Sequence, residues 1–138
     1  MRYLLDTNTW IYYLKHAESP VETRLRGTPA GEIAVCSIVW AELLHGARKY
    51  ERRDERVERV ERTLGPYRSL PFDDAAARRY AEIRDSLESR GEVIGPNDLF
   101  IASIALTHGL ILVTNDREFS RVEGLTIEDW STAMVPQR

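Results

Sequence analysis

Four acidic residues stand where a chain of alternating strands and helices would gather them. Asp6 follows the run Tyr3-Leu4-Leu5, Glu42 lies within the apolar stretch Ile38 to Ala47, Asp98 follows Gly95-Pro96-Asn97, and Asp116 follows Leu110 to Val113. Carboxylates that converge in one pocket repel one another, and without a cation some of them must be protonated at neutral pH. An all-oxygen set with neither a second cysteine nor clustered histidines suits Mg2+ or Mn2+ better than zinc. The chemistry such a site serves is hydrolysis of a phosphodiester, in which the cation orients water for in-line attack and offsets charge on the phosphate. Each acid also has a plain structural explanation. Asp6 is placed to cap the next helix, Asp98 sits where a helix dipole favours a carboxylate, and Glu42 could reach water at the helix edge. Only convergence separates the two explanations.

The elements that must position these acids follow from periodicity and punctuation. Tyr3 to Leu5 reads as a buried strand, with Thr7, Asn8 and Thr9 offering caps for a helix from about Thr9 to near Ala17. A short amphipathic piece covers Val21 to Arg26, and Ile33 to Cys36 form the second strand. Ser37 reads as the cap of a helix reaching Ala47, in which an ionised Glu42 is costly unless paired or metal-bound. Arg48 to Arg62 alternates charges over a narrow stripe of Val57, Val60 and Leu64, as a solvated helical hairpin would. Tyr67 to Phe72 reads as a third strand at a sheet edge, because Pro71 cannot donate to a ladder. Asp73 or Asp74 caps a long helix that buries Ala76, Tyr80, Ile83 and Leu87 and stops at Gly91. After the Gly95-Pro96 turn, with Asn97 as cap, a helix apolar nearly all round runs towards His108 and Gly109. Leu110 to Val113 suits a central parallel strand. Arg117 to Ser120 resembles a helical turn, Leu125 to Trp130 a final strand, and Ser131 to Arg138 a tail.

This alternation predicts a three-layer α/β fold with a mainly parallel central sheet flanked by helices. Asp6, Glu42 and Asp116 then arise at the carboxyl edge of the sheet, where ligands of open α/β sheets bind, and Asp98 joins them if its helix starts on that side. The 138 residues suit a single domain. With 43% hydrophobic and 30% charged residues the composition is that of an ordinary globular protein. No signal peptide or membrane span is expected, which points to the cytoplasm. Cys36 is the one cysteine, which excludes an internal disulfide and fits a small buried hydrophobe. His16, His45 and His108 lack metal-site spacing. A net charge of −3 argues against nucleic-acid binding through a global excess of positive charge, yet leaves nucleic acid open as a substrate. The functional reading of Arg48, Lys49, Arg52 and Arg53 is a basic edge that contacts RNA phosphates.

The ordered set is similar to a PIN-domain ribonuclease, and within that family resembles the VapC toxins of type II toxin-antitoxin modules. The matching pieces are Leu5-Asp6-Thr7-Asn8, Ser37-Ile38 with Ala41-Glu42, Gly95-Pro96 with Asp98 and Ile101-Ala102, and Val113-Thr114-Asn115-Asp116. Glu118-Phe119, Val122, Gly124-Leu125 and Glu128-Asp129-Trp130 resemble the end of many VapC chains. The resemblance implies metal-binding roles for Asp6, Glu42, Asp98 and Asp116, a polar position beside the metal for Thr114, and an orienting role for Asn8. It also implies an Mg2+-dependent endonuclease acting on structured RNA such as tRNA, a homodimer, and a cognate VapB-type antitoxin that occludes the site. A receiver-like signalling domain with an acidic Mg2+ pocket is the alternative. It would need an acidic pair after the first strand and a lysine after the fifth, whereas the lysines are Lys15 and Lys49.

Overall fold

A computed structural model describes residues 1–132, so the tail expected from Ser131 onwards lies outside the described residues beyond 132. Among the described residues the chain forms β1 (Tyr3–Leu5), α1 (Thr7–Lys15), α2 (Pro20–Arg26), β2 (Ile33–Cys36), α3 (Ser37–Ala47) and α4 (Arg53–Leu64). It continues through β3 (Arg68–Leu70), α5 (Asp74–Ser89), α6 (Pro96–Thr107), β4 (Ile111–Val113) and β5 (Ile127–Glu128), with 3-10 turns at Ala30–Glu32 and Arg117–Arg121. The strands make one five-stranded sheet in the order β3-β2-β1-β4-β5, every pair parallel. The order differs from the 2-1-3-4-5 sheet of receiver domains, which removes the signalling alternative's scaffold. No helix among the described residues is long and apolar enough to cross a membrane.

The order reverses direction between β1 and β4. From β1 the chain steps to β2 and β3 on one side, then crosses back to β4 and β5 on the other. Right-handed crossovers put α1 to α4 on one face and α5 with α6 on the opposite face, which gives three layers. β1 and β2 are buried at every position, as strands covered on both faces must be. β3 is an edge strand and shorter than expected, as Pro71 cannot donate to a ladder. Trp10, Ile33, Leu64, Ile101, Ile104, Leu112 and Phe119 are among the fully buried side chains.

Several helix starts differ from expectation by a residue or two, each for a local reason. Asp6 itself caps α1, so the helix starts at Thr7. Cys36 holds the cap position of α3 and Ser37 is already helical. The Ser37 hydroxyl instead accepts from Phe72 N at 3.2 Å and lies 3.5 Å from Leu70 O, which ties the start of α3 to the end of β3. Gly95 caps α6 with Pro96 in its first turn, where a proline's missing N–H costs nothing, so Asn97 is left free for another partner. The segment 48–62 is a turn followed by the single helix α4 rather than a hairpin of its own, with Arg52 in the left-handed region at φ 60°. Asp73 caps α5 by accepting from Ala76 N at 3.0 Å. Burial pushes the Cys36 thiol up to about 11, so it stays protonated and inert.

The far edge of the sheet is closed by a cluster around Trp130, which is 1% exposed. Its ring packs edge-on against Tyr3 at 5.0 Å, its Nε1 donates to Glu128 Oε1 at 3.0 Å, and the Arg24 guanidinium covers it at 4.7 Å. Arg24 also pairs with Glu128 at 3.1 Å, linking α2 to β5. Trp130→Ala removes a buried ring and leaves Glu128 with one partner fewer. The expected loss is about 3–5 kcal/mol in urea unfolding with the slope unchanged. A loss under about 1 kcal/mol would mean that β5 is not held by this cluster.

Candidate active site

Asp6 emerges from β1 into the crevice at the switch point between β1 and β4, and it is 3% exposed. Its backbone N–H still donates to Val113 O at 3.0 Å, so the carboxylate is set by the sheet itself. Oδ1 accepts from Thr9 N at 2.9 Å, and the Thr9 hydroxyl lies 2.6 Å away. Oδ2 accepts from the Thr114 hydroxyl at 2.6 Å. Burial raises the Asp6 carboxyl above its ordinary value, the Thr114 and Thr9 hydrogen bonds oppose that shift, and the nearby Asp116 charge adds to it. Capping and site formation are therefore not alternatives at Asp6. One oxygen caps α1 and the other is held from β4, and Oδ2, with one donor, keeps a further lone pair.

The remaining acids reach this crevice from separate elements. Glu42, half-buried on α3, accepts from the Thr7 hydroxyl at 2.6 Å through Oε1 and from Asn97 Nδ2 at 3.3 Å through Oε2. Asn97 thus joins α6 to Glu42 instead of capping its own helix. Asp98, in the first turn of α6, is pushed up to about 6 by burial first, then by the charges of Asp116, Asp6, Glu42 and Glu118. All four neighbours act on one carboxyl, which is the electrostatic signature of convergence. Asp116 follows β4 and accepts from Glu118 N at 2.9 Å, while its own N–H donates to the Thr114 hydroxyl at 3.0 Å. Oxygens of Asp98, Asp116 and Glu118 lie within 4.8 Å of one another.

Asp6, Glu42, Asp98, Asp116 and Thr114 border the same crevice, and of the four acids only Asp98 and Asp116 belong, with Glu118, to the group of oxygens within 4.8 Å of one another among the described residues. Asn8 does not reach Asp6 among the described residues: it is exposed on the outer side of the first turn of α1. The cap geometry explains this, because a residue at the cap position meets the backbone three positions on, which is Thr9. Three contributors are missing from the sequence reading. Thr7 and Thr9 look like generic caps until the fold brings Glu42 and Val113 beside them. Glu118 is brought under the site by a 3-10 turn, for which the two-residue spacing from Asp116 was the available signal.

A family model described as the PIN domain matches residues 3–125. The chain is 36% identical over 132 residues to the tRNA(fMet)-specific endonuclease VapC of Shigella flexneri, covering 95% of this chain and 99% of that protein. The chain belongs to the VapC ribonucleases of the PIN-domain family. It is also 37% identical over 131 residues to ribonuclease VapC2 of Haemophilus influenzae, covering 94% of this chain and 98% of that one. The DNA-bound VapBC structure from Salmonella typhimurium contains a chain that matches with a TM-score of 0.90 at 34% identity, covering 94% of this chain and 98% of that chain.

In this VapC chain the donor set fits a hard divalent cation, since carboxylate oxygens dominate and no sulfur or imidazole faces the crevice among the described site residues. The Asp98 carboxyl is raised by burial first and then by the neighbouring acids, and such an ion would offset that second cause. In the unfolded chain this group titrates near 3.8, and in the fold near 6. Between those values the folded protein holds a proton that the unfolded chain has released, so raising pH through the window costs stability and the full cost stands above it. Asp98 is half-exposed and solvent screens much of that cost. Metal-free Asp98→Asn should therefore melt a few degrees above the metal-free parent near neutral pH, with the gap closing below the unfolded value. Adding Mg2+ should raise the parent's Tm more than the variant's. A variant that melts lower than the parent near neutral pH would show that the acids do not repel one another as described.

Proposed function

We propose that this chain is the toxin of a type II toxin-antitoxin pair and a Mg2+-dependent endoribonuclease, with Mn2+ as a working substitute. It hydrolyses phosphodiester bonds in structured RNA, tRNA foremost, and so inhibits translation. The observation that carries this reading is the approach of Asp6, Glu42, Asp98 and Asp116 to one another in the switch-point crevice. That arrangement carries an electrostatic cost that a bound cation repays without protonating the acids. The tRNA(fMet)-specific relative supports tRNA as the substrate class. The VapBC assembly of the Salmonella relative supports a VapB-type antitoxin as partner. The same reading takes residues 1–138 as one PIN domain that forms a homodimer in the cytoplasm, where its RNA substrate is found.

Bound there, the cation supplies Lewis-acid stabilisation of the phosphate and orients the attacking water. The chain's own residues supply everything that fixes where this happens. Asp6 presents an oxygen whose direction is set by Thr9 from α1 and Thr114 from β4. Glu42 is held from two sides, by Thr7 and Asn97, so its carboxylate need not reorganise when substrate arrives. Asp98 and Asp116 approach from α6 and from the end of β4, which spreads the ligands over four elements and leaves the open side to the phosphate. Thr114 is a positioning residue: its hydrogen is committed to Asp6 and its oxygen to Asp116 N.

The test is cleavage of total cellular RNA by purified, antitoxin-free protein with Mg2+ or Mn2+, with EDTA and Asp6→Asn as controls and fragment ends sequenced. One discrete metal-dependent cut is expected. Loss of an outer-sphere partner such as Thr114, as Thr114→Val, should slow it about 10–100-fold, and Asp6→Asn should cost more. A cut that survives Asp6→Asn would place the reaction elsewhere, and folded protein that cuts no RNA would overturn the nuclease reading.

A further inference from the structure

Two arginines tie the segment before α6 to the turn after β4, and each end of the tie adjoins an acid of the site. Arg121 Nη1 donates to Val93 O at 2.6 Å, and Arg90 Nη2 donates to Arg121 O at 2.8 Å. The connection is reciprocal, since a side chain from the turn reaches the segment 91–95 and a side chain from the end of α5 reaches back to the turn. Arg90 is itself held, by Ser86 O at 3.3 Å within α5 and by Glu92 at 3.1 Å beyond it. The Val93 side chain is 70% exposed, so its own packing does not fix the segment. Two residues on, Gly95 caps α6, and a Cβ there would stand 3.6 Å from Asp98 Oδ2. The segment thus leads straight into the helical turn that carries Asp98.

On the other side, Arg121 ends the 3-10 turn that Asp116 caps and in which Glu118 lies. Phe119 and Val122 are buried beneath this turn. Apolar packing is non-directional, whereas a hydrogen bond has a preferred length and angle, so the Arg121 bond is what sets the distance across to α6. Asp98 belongs to one tied segment and Asp116 and Glu118 to the other, and among the described residues these are the three acids whose oxygens lie within 4.8 Å of one another. Ionised together they repel, and a tie between their backbones opposes their separation. We propose that Arg121, backed by Arg90, is a positioning residue of the cation site, its bond to Val93 O setting the separation of Asp98 from Asp116 and Glu118. The inference rests on the metal-dependent reading above and names what holds one side of that site. Arg121 also carries a charge, 3.7 Å from Glu118. A fixed cation beside the acids competes with a metal ion, so charge and position predict opposite effects when Arg121 is removed.

The experiment titrates the full, antitoxin-free chain with MgCl2 by calorimetry, each variant being checked as folded by thermal melting. Arg121→Met removes the donors and the charge of an exposed side chain, and it should weaken Mg2+ binding about tenfold, as loss of a group that orients metal ligands does. Arg121→Lys keeps a donor for the single bond to Val93 O and should bind Mg2+ within about threefold of the parent. Arg90→Met, which frees the other half of the tie, should shift the affinity in the same direction as Arg121→Met. In metal-free protein, hydrogen exchange of the Glu118 N–H that donates to Asp116 should quicken about tenfold in Arg121→Met. The KM for RNA at saturating Mg2+ should stay within about twofold. Arg121→Met that binds Mg2+ as the parent does would overturn the inference and make the residue a support of the fold alone. Tighter binding would overturn it in favour of charge, and a raised KM with parental Mg2+ affinity would assign Arg121 to a substrate phosphate. Arg121→Lys that binds no better than Arg121→Met would overturn it as well. Parent protein that binds no Mg2+ overturns the metal-dependent reading along with the inference, and the parent's own titration distinguishes that case.

Discussion

The hydrogen bond from the Thr114 hydroxyl to Asp6 Oδ2, 2.6 Å long and almost fully buried, joins the two strands at which the sheet changes direction. Asp6 and Asp116 both depend on that junction. Asp6 is the last group of the β1 path and Thr114 the first after β4, so their contact fixes the mouth of the crevice to the sheet and not to a loop. Thr9 closes the same junction from α1, lying near both Asp6 Oδ1 and Val113 O. From Thr114 the order passes to Asp116 and then to Glu118 through successive backbone N–H groups. A buried carboxylate left without these donors would bear its full desolvation cost, so the junction stabilises the metal-free fold as well as aiming Asp6.

The site was legible in the sequence to the extent that it was built from strand ends. Asp6 and Asp116 follow short apolar runs, and the strand-helix alternation alone sends both to the carboxyl edge. Glu42 and Asp98 were legible as anomalies, an acid inside an apolar helical stretch and an acid at the head of a nearly all-apolar helix. The details that failed share one cause. Ser37 and Asn97 carry good capping side chains, and both were read as caps; each instead bonds across the fold, to β3 and to Glu42. Local propensity describes what a side chain can do with its own backbone, and a tertiary partner offering a better bond takes it away. Asn8 stands exposed in the first turn of α1, while Asp6 caps that helix through Thr9. The short turn at Arg117 to Ser120 was read from the sequence, but not that Asp116 caps it and so brings Glu118 to the site.

The helices contribute by different means. α6 is buried on most sides, so its N-terminal turn cannot shift without moving Leu99, Ile101 and Ile104 in the core, and Asp98 inherits that rigidity. α3 is anchored at its start by Ser37 to Phe72 N, one turn before Glu42. Glu42 then receives hydrogen bonds from α1 and α6, so three helices on two faces of the sheet agree on the position of one carboxylate. Rigid supports of this kind reduce the reorganisation required when charge develops on a phosphate.

A net charge of −3 and an RNA substrate are compatible only if attraction and chemistry occupy different surfaces. The acids repel phosphate until a cation joins them, and their mutual repulsion shows in Asp98. The arginines that carry ion pairs, Arg26, Arg79, Arg84 and Arg90 among them, are paired with glutamates. Exposed ion pairs of this type add little stability. An acidic total gives the surface as a whole no general hold on a polyanion, and the acids of the site admit a phosphate only once a cation has joined them.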